Sequence, residues 1–151
     1  MRAINRAINL MLPALALCLA GCADSSSPEA QVRATITAIE AAAEARDVGD
    51  VMAHVSTQFR DSDGRDGKEL SQYVRGYFIA NQSLHLLTRI ERIEFPTQDE
   101  ARALVTVGMV SREAAAADAW NLAAEIRDFD VTFMREGDEW KVTHARRGRA
   151  N

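Results

Sequence analysis

The chain has 151 residues, of which 47% are hydrophobic and 26% are charged. This length and composition are typical of one packed domain and exclude a disordered or collagen-like chain. The formal charge of −4 excludes the broad basic surface that nucleic-acid binding requires, and the two cysteines, Cys18 and Cys22, are too few for a disulfide scaffold.

The first 21 residues have the pattern of a signal peptide. Arg2 and Arg6 give a positive start, and residues 10–20 form an almost uninterrupted apolar stretch. A transmembrane helix needs about 20 apolar residues, whereas the apolar part of a signal peptide needs about 7 to 15. We therefore predict a signal peptide over residues 1–21, whose removal changes the formal charge to −6 because it takes away two arginines and no acid.

The segment Leu19-Ala20-Gly21-Cys22 resembles the lipobox of bacterial lipoproteins. In that family the cysteine thiol receives a diacylglycerol, the peptide before it is removed, and the new amino terminus is acylated, commonly with palmitate. The resemblance implies that Cys22 attaches the mature chain to a membrane and that residues 22–28 are an acylated tether. A plain signal peptide with an incidental cysteine is the alternative.

The residue after the cysteine bears on the membrane that holds the protein. In Gram-negative lipoproteins an aspartate at that place favours retention in the inner membrane, and here the residue is Ala23. The resemblance therefore implies the outer membrane, facing the periplasm, with the inner membrane as the alternative.

Three helices are predicted in the first half of the mature chain. Ser27 is a predicted N-cap, Pro28 suits the first helical position, and the helix ends near Arg46. Asp50 is the predicted cap of a short second helix that extends through Val55. Asp66 and Glu69 have capping-box spacing, and the helix after them carries an apolar face at helical spacing, formed by Leu70, Tyr73, Val74, Tyr77 and Phe78.

Four antiparallel strands are predicted after the helices, because the apolar period changes to two. They cover residues 84–95, 101–109, 120–134 and 140–144, with a slip near Arg89-Ile90 that indicates a bulge and a hairpin turn at Gly137. The alanine-rich residues 114–119 fit either a helical turn or the end of a long hairpin, and we favour the hairpin. In the third strand Phe129, Val131 and Phe133 alternate with Asp128 and Asp130, which should therefore point to solvent.

Residues 29–147 resemble the nuclear transport factor 2-like superfamily, which includes ketosteroid isomerase and polyketide cyclase-like proteins. The resemblance rests on the early helix before Asp47-Val48-Gly49-Asp50, the segment 59–64, the tyrosine-bearing helix, and the closing hairpin from Phe129 to Val142. It implies an α+β fold in which a curved antiparallel sheet of about four strands wraps the N-terminal helices into a cone, often with an apolar pocket at its wide end. A flat four-stranded sheet under a helical lid is the alternative, and residues 148–151 are a tail.

Candidate site residues follow from this cone. Alternation places His144 on the same face as Trp140 and Val142. The predicted lining of the pocket is Tyr73, Tyr77, Phe133, Trp140 and His144. No metal site is predicted, because the three histidines lack ligand spacing and Asp61, Asp63 and Asp66 do not fit a calcium loop.

The sequence therefore predicts a membrane-anchored periplasmic module that binds a small apolar ligand or a protein partner without a cofactor. The resemblance adds dimerisation of two copies through the sheet. The alternative is an acid–base enzyme of the isomerase or cyclase type in the same pocket, with His144 as base and Tyr73 or Tyr77 as hydrogen-bond donor.

Overall fold

The computed structural model describes residues 27–113 and 122–148, and these form an α+β fold. The elements in chain order are α1 (Pro28–Glu44), α2 (Val48–Ala53), β1 (Val55–Asp61), α3 (Gly67–Ala80), β2 (Asn81–Glu94), β3 (Glu100–Glu113), β4 (Leu122–Glu136) and β5 (Glu139–Arg147). The predicted signal peptide, most of the predicted tether and residues 114–119 lie outside the described residues. None of the described helices has the length and apolar character needed to span a membrane.

The starts of α1 and α3 confirm the capping predictions. The Ser27 hydroxyl accepts a hydrogen bond from the backbone N–H of Ala30 at 3.2 Å. Asp66 accepts from the backbone N–H of Glu69 at 2.9 Å, and the Glu69 carboxylate accepts from the N–H of Asp66 at 3.0 Å. The bond from Glu69 holds the pKa of Asp66 below its usual value, so Asp66 caps α3 as an anion.

The cap of α2 lies three residues earlier than predicted. Asp47, rather than Asp50, is the N-cap, and its carboxylate accepts from the backbone N–H of Asp50 at 3.0 Å. The helix also ends at Ala53, so Val55 is not its last residue but the first residue of β1.

The sheet has five strands, and the prediction of four was wrong. Its order is β1-β5-β4-β3-β2, and β1 pairs with β5 in parallel while the other neighbours are antiparallel. Alternation did not reveal β1 because its register shifts between Val55 and Arg60. Its buried residues Ser56 and Phe59 are therefore three positions apart rather than two.

The predicted bulge in β2 is confirmed. Ile90 pairs with Val105 and Arg92 pairs with Leu104, so Glu91 is the extra residue. This bulge reverses the side-chain alternation within the strand, because one added residue changes the parity of all that follow.

The main hydrophobic core lies between α1 and one face of the curved sheet, which we call the concave face. From α1 it receives Val32 and Ile36, of which Val32 is fully buried. From strands β1, β3, β4 and β5 it receives Phe59, Ala101, Ala103, Val105, Phe133, Trp140 and Val142. The opposite face of the sheet, which carries none of these side chains, is called the convex face.

A second cluster lies at the other end of the concave face. It joins Ala42 near the end of α1 with Val51, Phe78 and Leu84 from α2, α3 and β2. Because both clusters lie within residues 27–148, the chain from residue 23 onward contains every described helix, strand and core contact.

Substitutions at adjacent residues of β4 test the assignment of the two faces. Phe133→Ala should lower the free energy of unfolding by about 3–5 kcal/mol, because Phe133 is fully buried in the main core. Met134→Ala should change it by about 0.5 kcal/mol or less, because Met134 lies on the convex face and is 37% exposed. Urea unfolding of residues 23–151 measures both values, and equal losses would contradict the assignment.

Candidate functional site

Tyr73 and Tyr77 lie one turn apart on α3, the helix that crosses the second cluster. Tyr77 is half-buried and packs against that cluster beside Val74, Leu86 and Met109. Tyr73 is 48% exposed. The guanidinium carbon of Arg65, in the turn before α3, lies 5.5 Å from the centre of the Tyr73 ring. Tyr77 thus packs against the apolar cluster, whereas Tyr73 lies at its edge with the Arg65 guanidinium over its ring.

Arg127 faces the tyrosines from the sheet. Arg127 on β4 pairs with Val107 on β3. It is two residues from Phe129 and six from the buried Phe133, so all three side chains point to the same face of β4. Paired residues in an antiparallel ladder share a face, so Arg127 and Glu125 are both on the concave face. We call the region formed by Tyr73, Tyr77, Met109 and Arg127 the tyrosine end of the concave face.

The contacts of Arg127 combine a carboxylate and a phenol. Its Nη2 donates to Glu125 Oε2, and the Tyr73 side chain lies close enough to its guanidinium to interact with it electrostatically. The Glu125 bond, with a smaller contribution from Tyr73, raises the pKa of Arg127 above its ordinary value in spite of partial burial. Arg127 is 20% exposed, and its Nε is buried without a hydrogen-bond partner among the described residues.

A buried nitrogen without a hydrogen-bond partner needs an explanation. Among the described residues, such a nitrogen is the Nε of Arg112, Arg127 and Arg135. Arg135 lies over Trp140, with its guanidinium carbon 4.9 Å from the ring, and helps to cover the main core. Arg112 has the parity of the convex face, since its neighbour Ser111 pairs with the buried Leu84. Arg127 is therefore the member of this group that lies at the tyrosine end.

Phe133 and Trp140, predicted as pocket lining, lie in the main core under α1. They are 0% and 2% exposed, and the Trp140 indole N–H donates to Gln31 Oε1 at 3.2 Å. Phe133 is six residues from Arg127 along β4, which corresponds to about 20 Å of strand. The structure therefore does not bring these two side chains together with Tyr73 and Tyr77.

The predicted direction of His144 is corrected by a bulge. Val142 pairs with Phe133, but His144 pairs with Thr132, so Thr143 is an extra residue and the alternation reverses after it. His144 thus lies on the convex face, away from Trp140 and Val142. Its Nδ1 lies 2.6 Å from the backbone carbonyl oxygen of Arg60, which only accepts, so Nδ1 carries the hydrogen.

The aspartates of β4 are on the convex face, as the sequence predicted. Asp128 accepts a hydrogen bond from the Thr106 hydroxyl at 2.8 Å, and Asp130 accepts one from Arg146 at 2.7 Å. The sequence analysis missed Arg127 and Glu125. The alternation of Phe133, Val131 and Phe129 continues to Arg127 and Glu125 and places them on the same face. The prediction used only the apolar residues of this strand and therefore omitted both.

The aspartates near the start of α3 serve the backbone. Asp61 accepts from the N–H groups of Asp63 and Arg65 at 2.9 and 2.8 Å and forms an ion pair with the Arg65 side chain. Asp66 caps α3. In the described part of the chain, no three histidine, cysteine, aspartate or glutamate side chains are grouped as metal ligands.

A shallow groove of about 810 Å³ lies at the opposite end of the molecule from the tyrosines. Its lining comes from the start of α1 and from the turn between β2 and β3, and includes Ser27, Phe95, Asp99 and Arg135. The 17 residues of α1 separate this groove from the second cluster by about 25 Å. The groove and the tyrosine end are therefore two distinct places.

Comparison with known proteins defines the fold. No protein-family model matches the chain, and no curated protein matches it in sequence. Many solved structures share its fold. The Kfla4162 protein from Kribbella flavida superimposes with a TM-score of 0.72 at 14% identity, covering 85% of this chain and 94% of that one.

Two further solved structures superimpose over most of both chains. A ketosteroid isomerase-like protein from Erwinia carotovora atroseptica has a TM-score of 0.63 at 11% identity, covering 80% of this chain and 96% of that one. A type 2 hexachlorocyclohexane dehydrochlorinase, LinA, has a TM-score of 0.66 at 11% identity, covering 80% and 83%. The chain therefore has the nuclear transport factor 2-like fold, with a curved sheet wrapped on helices.

Proposed function

We propose that this protein is a lipid-anchored periplasmic binding module. Cys22 attaches it to the outer membrane, and the tyrosine end of the concave face binds a small, mainly apolar molecule. The observation that carries the binding function is the second cluster, where half-buried Val74, Tyr77 and Met109 adjoin the half-exposed Tyr73. Small-molecule sites are usually concave and mainly apolar with a few placed polar groups, and Tyr73 and Arg127 supply such groups here.

The position of α1 is compatible with an anchored binding module. The proposed tether, residues 22–28, joins the domain at the first turn of α1, whereas the cluster at the tyrosine end packs against its last turn. The proposed anchor and the proposed site are thus about 25 Å apart along this helix. A membrane at the anchored end would leave the site open to the periplasm.

A binding role is favoured over an acid–base enzyme by the direction of His144. Its imidazole lies on the convex face and bonds to Arg60, so it does not reach either tyrosine. The named relatives include a dehydrochlorinase and an isomerase-like protein, and catalysis at the tyrosine end stays the alternative. In that alternative the base would be Glu125, whose carboxylate contacts Arg127 on the concave face.

The convex face offers a surface for a protein partner, and a second copy of the chain is the partner proposed here. Leu87, Gly108 and Ile126 form one row across three strands, and Leu87 and Ile126 are 78% and 75% exposed. Two such rows can interlock because the glycine leaves a gap between two apolar ridges.

Analytical ultracentrifugation of residues 23–151 tests this contact. The parent protein should sediment with twice the mass of one chain, and Ile126→Ser should sediment with the mass of one chain. A monomeric parent protein would contradict the contact.

Binding of N-phenyl-1-naphthylamine, an uncharged apolar dye, tests the site. The dye should bind residues 23–151 with increased fluorescence, and Tyr77→Ala should weaken binding about fivefold or more, because it removes the aromatic wall of the cluster. Ile126→Ser, on the convex face, is the matched control and should leave the affinity unchanged. Cooperative urea unfolding verifies that each variant is folded. No dye binding, or a loss confined to Ile126→Ser, would contradict the proposal.

Intact mass spectrometry of the protein from a Gram-negative membrane tests the anchor. The mature chain should begin at Cys22 and carry the mass of two or three acyl chains, which together anchor stably where one chain is marginal. Cys22→Ser should carry no acyl mass. Cys18→Ser is the control and should be acylated as the parent protein is. An acylated Cys22→Ser variant, or an unmodified parent chain, would contradict lipid attachment at this thiol.

A further inference from the structure

We infer that Arg127 and the Tyr73 hydroxyl form an anion-binding subsite at the tyrosine end, and that the ligand is an apolar molecule carrying an anionic oxygen group. This inference rests on the proposed binding function and adds the chemical class of the ligand. It concerns three side chains, Arg127, Tyr73 and Glu125, that converge at one point of the concave face.

The contacts of Arg127 recover only part of the cost of burying its guanidinium. A guanidinium on the helix-covered side of a sheet loses hydration, and this cost is recovered only when its donors are satisfied. Here Nη2 is used by Glu125 and one contact goes to Tyr73, but Nε is buried without a partner among the described residues. The guanidinium is one-fifth exposed, so a ligand can reach its terminal nitrogens.

Glu125 stands in the free protein where we place the anionic group of the ligand. It lies two residues from Arg127 on the same strand face, and its side chain is 46% exposed. Ion pairs this exposed contribute little net free energy, so the Glu125 carboxylate is readily displaced. Exchanging one carboxylate for another anionic oxygen keeps the charge at Arg127 balanced, and Glu125 gains solvent when it moves away.

Tyr73 makes the subsite directional. The guanidinium carbon of Arg65 lies 5.5 Å from the centre of the Tyr73 ring, and the Tyr73 side chain also lies close to the guanidinium of Arg127. A phenol and a guanidinium side by side present two donors to one oxygen group. The apolar side chains of Val107 and Met109 continue the same sheet face beside them, where the apolar part of the ligand would lie.

Two dyes with the same ring skeleton test the inference on residues 23–151. The anionic probe is 8-anilinonaphthalene-1-sulfonate, and N-phenyl-1-naphthylamine lacks the sulfonate. The sulfonate dye should bind the parent protein more tightly. Arg127→Gln should weaken it about tenfold, as expected for loss of a hydrogen bond to a charged group. Glu125→Gln should strengthen it about two- to fivefold, because the competing carboxylate is removed.

The matched control is Arg112→Gln, since Arg112 also has a buried, unpartnered Nε but lies on the convex face. It should leave the affinity for both dyes unchanged. In Arg127→Gln the uncharged dye should lose far less affinity than the sulfonate dye, because it carries no anionic group for the guanidinium to bind. Failure of the uncharged dye to bind the parent protein would overturn the proposed apolar site itself. Normal binding of that dye, with a sulfonate affinity that Arg127→Gln does not reduce, would overturn the anion subsite and leave the apolar site intact.

Discussion

The direction of each strand side chain in the described part of the chain depends on the register of the sheet. Successive residues of a strand point to opposite faces, so one extra residue exchanges the buried and exposed sets of all residues that follow. Glu91 in β2 and Thr143 in β5 are such residues. The bulge at Thr143 lets Val142 enter the core while His144 turns outward to the carbonyl of Arg60 on β1. The same displacement brings Ala145 back to the concave face, where it packs against the main core.

The register also divides the concave face into a filled end and an end with polar groups. Beneath the first turns of α1, Phe133 and Trp140 are almost completely buried, and Arg135 and Phe95 cover the indole from outside. Interiors packed in this way leave no room for a ligand. Beneath α3 the alternation of β4 continues from Phe129 to Arg127, and an ion pair replaces apolar packing. The Arg127–Glu125 ion pair thus lies where the packing of α1 against the sheet ends.

Much of the fold could be predicted from the sequence because its signals are local. The caps at Ser27 and Asp66 and the turn at Gly137, whose φ is +63°, each follow from a few neighbouring residues. β1 could not be predicted in this way. Its pairing partner β5 lies about 80 residues later, and its own register shift removes the alternation that would identify it. Parallel pairing with a distant strand leaves no mark on the segment itself.

The candidate site was harder to predict for a related reason. Tyr73 and Tyr77 follow from helical periodicity, which a single segment displays. The face of His144 depends on one bulge residue, Thr143, and nothing in the sequence Val-Thr-His distinguishes a bulge from regular alternation. Arg127 was overlooked because charged side chains are expected to point away from a core. That expectation holds for Asp128 and Asp130, but Arg127 has the opposite parity.

Nuclear Overhauser contacts in residues 23–151 test the central claim, the sheet register, most directly. With the register described here, the ring protons of Tyr73 should show cross-peaks to the side-chain methylene protons of Arg127. The imidazole protons of His144 should show contacts to β1 near Arg60 and none to the side chain of Trp140. Cross-peaks from His144 to Trp140 or Tyr77, together with no contact between Tyr73 and Arg127, would contradict both the register and the site built on it.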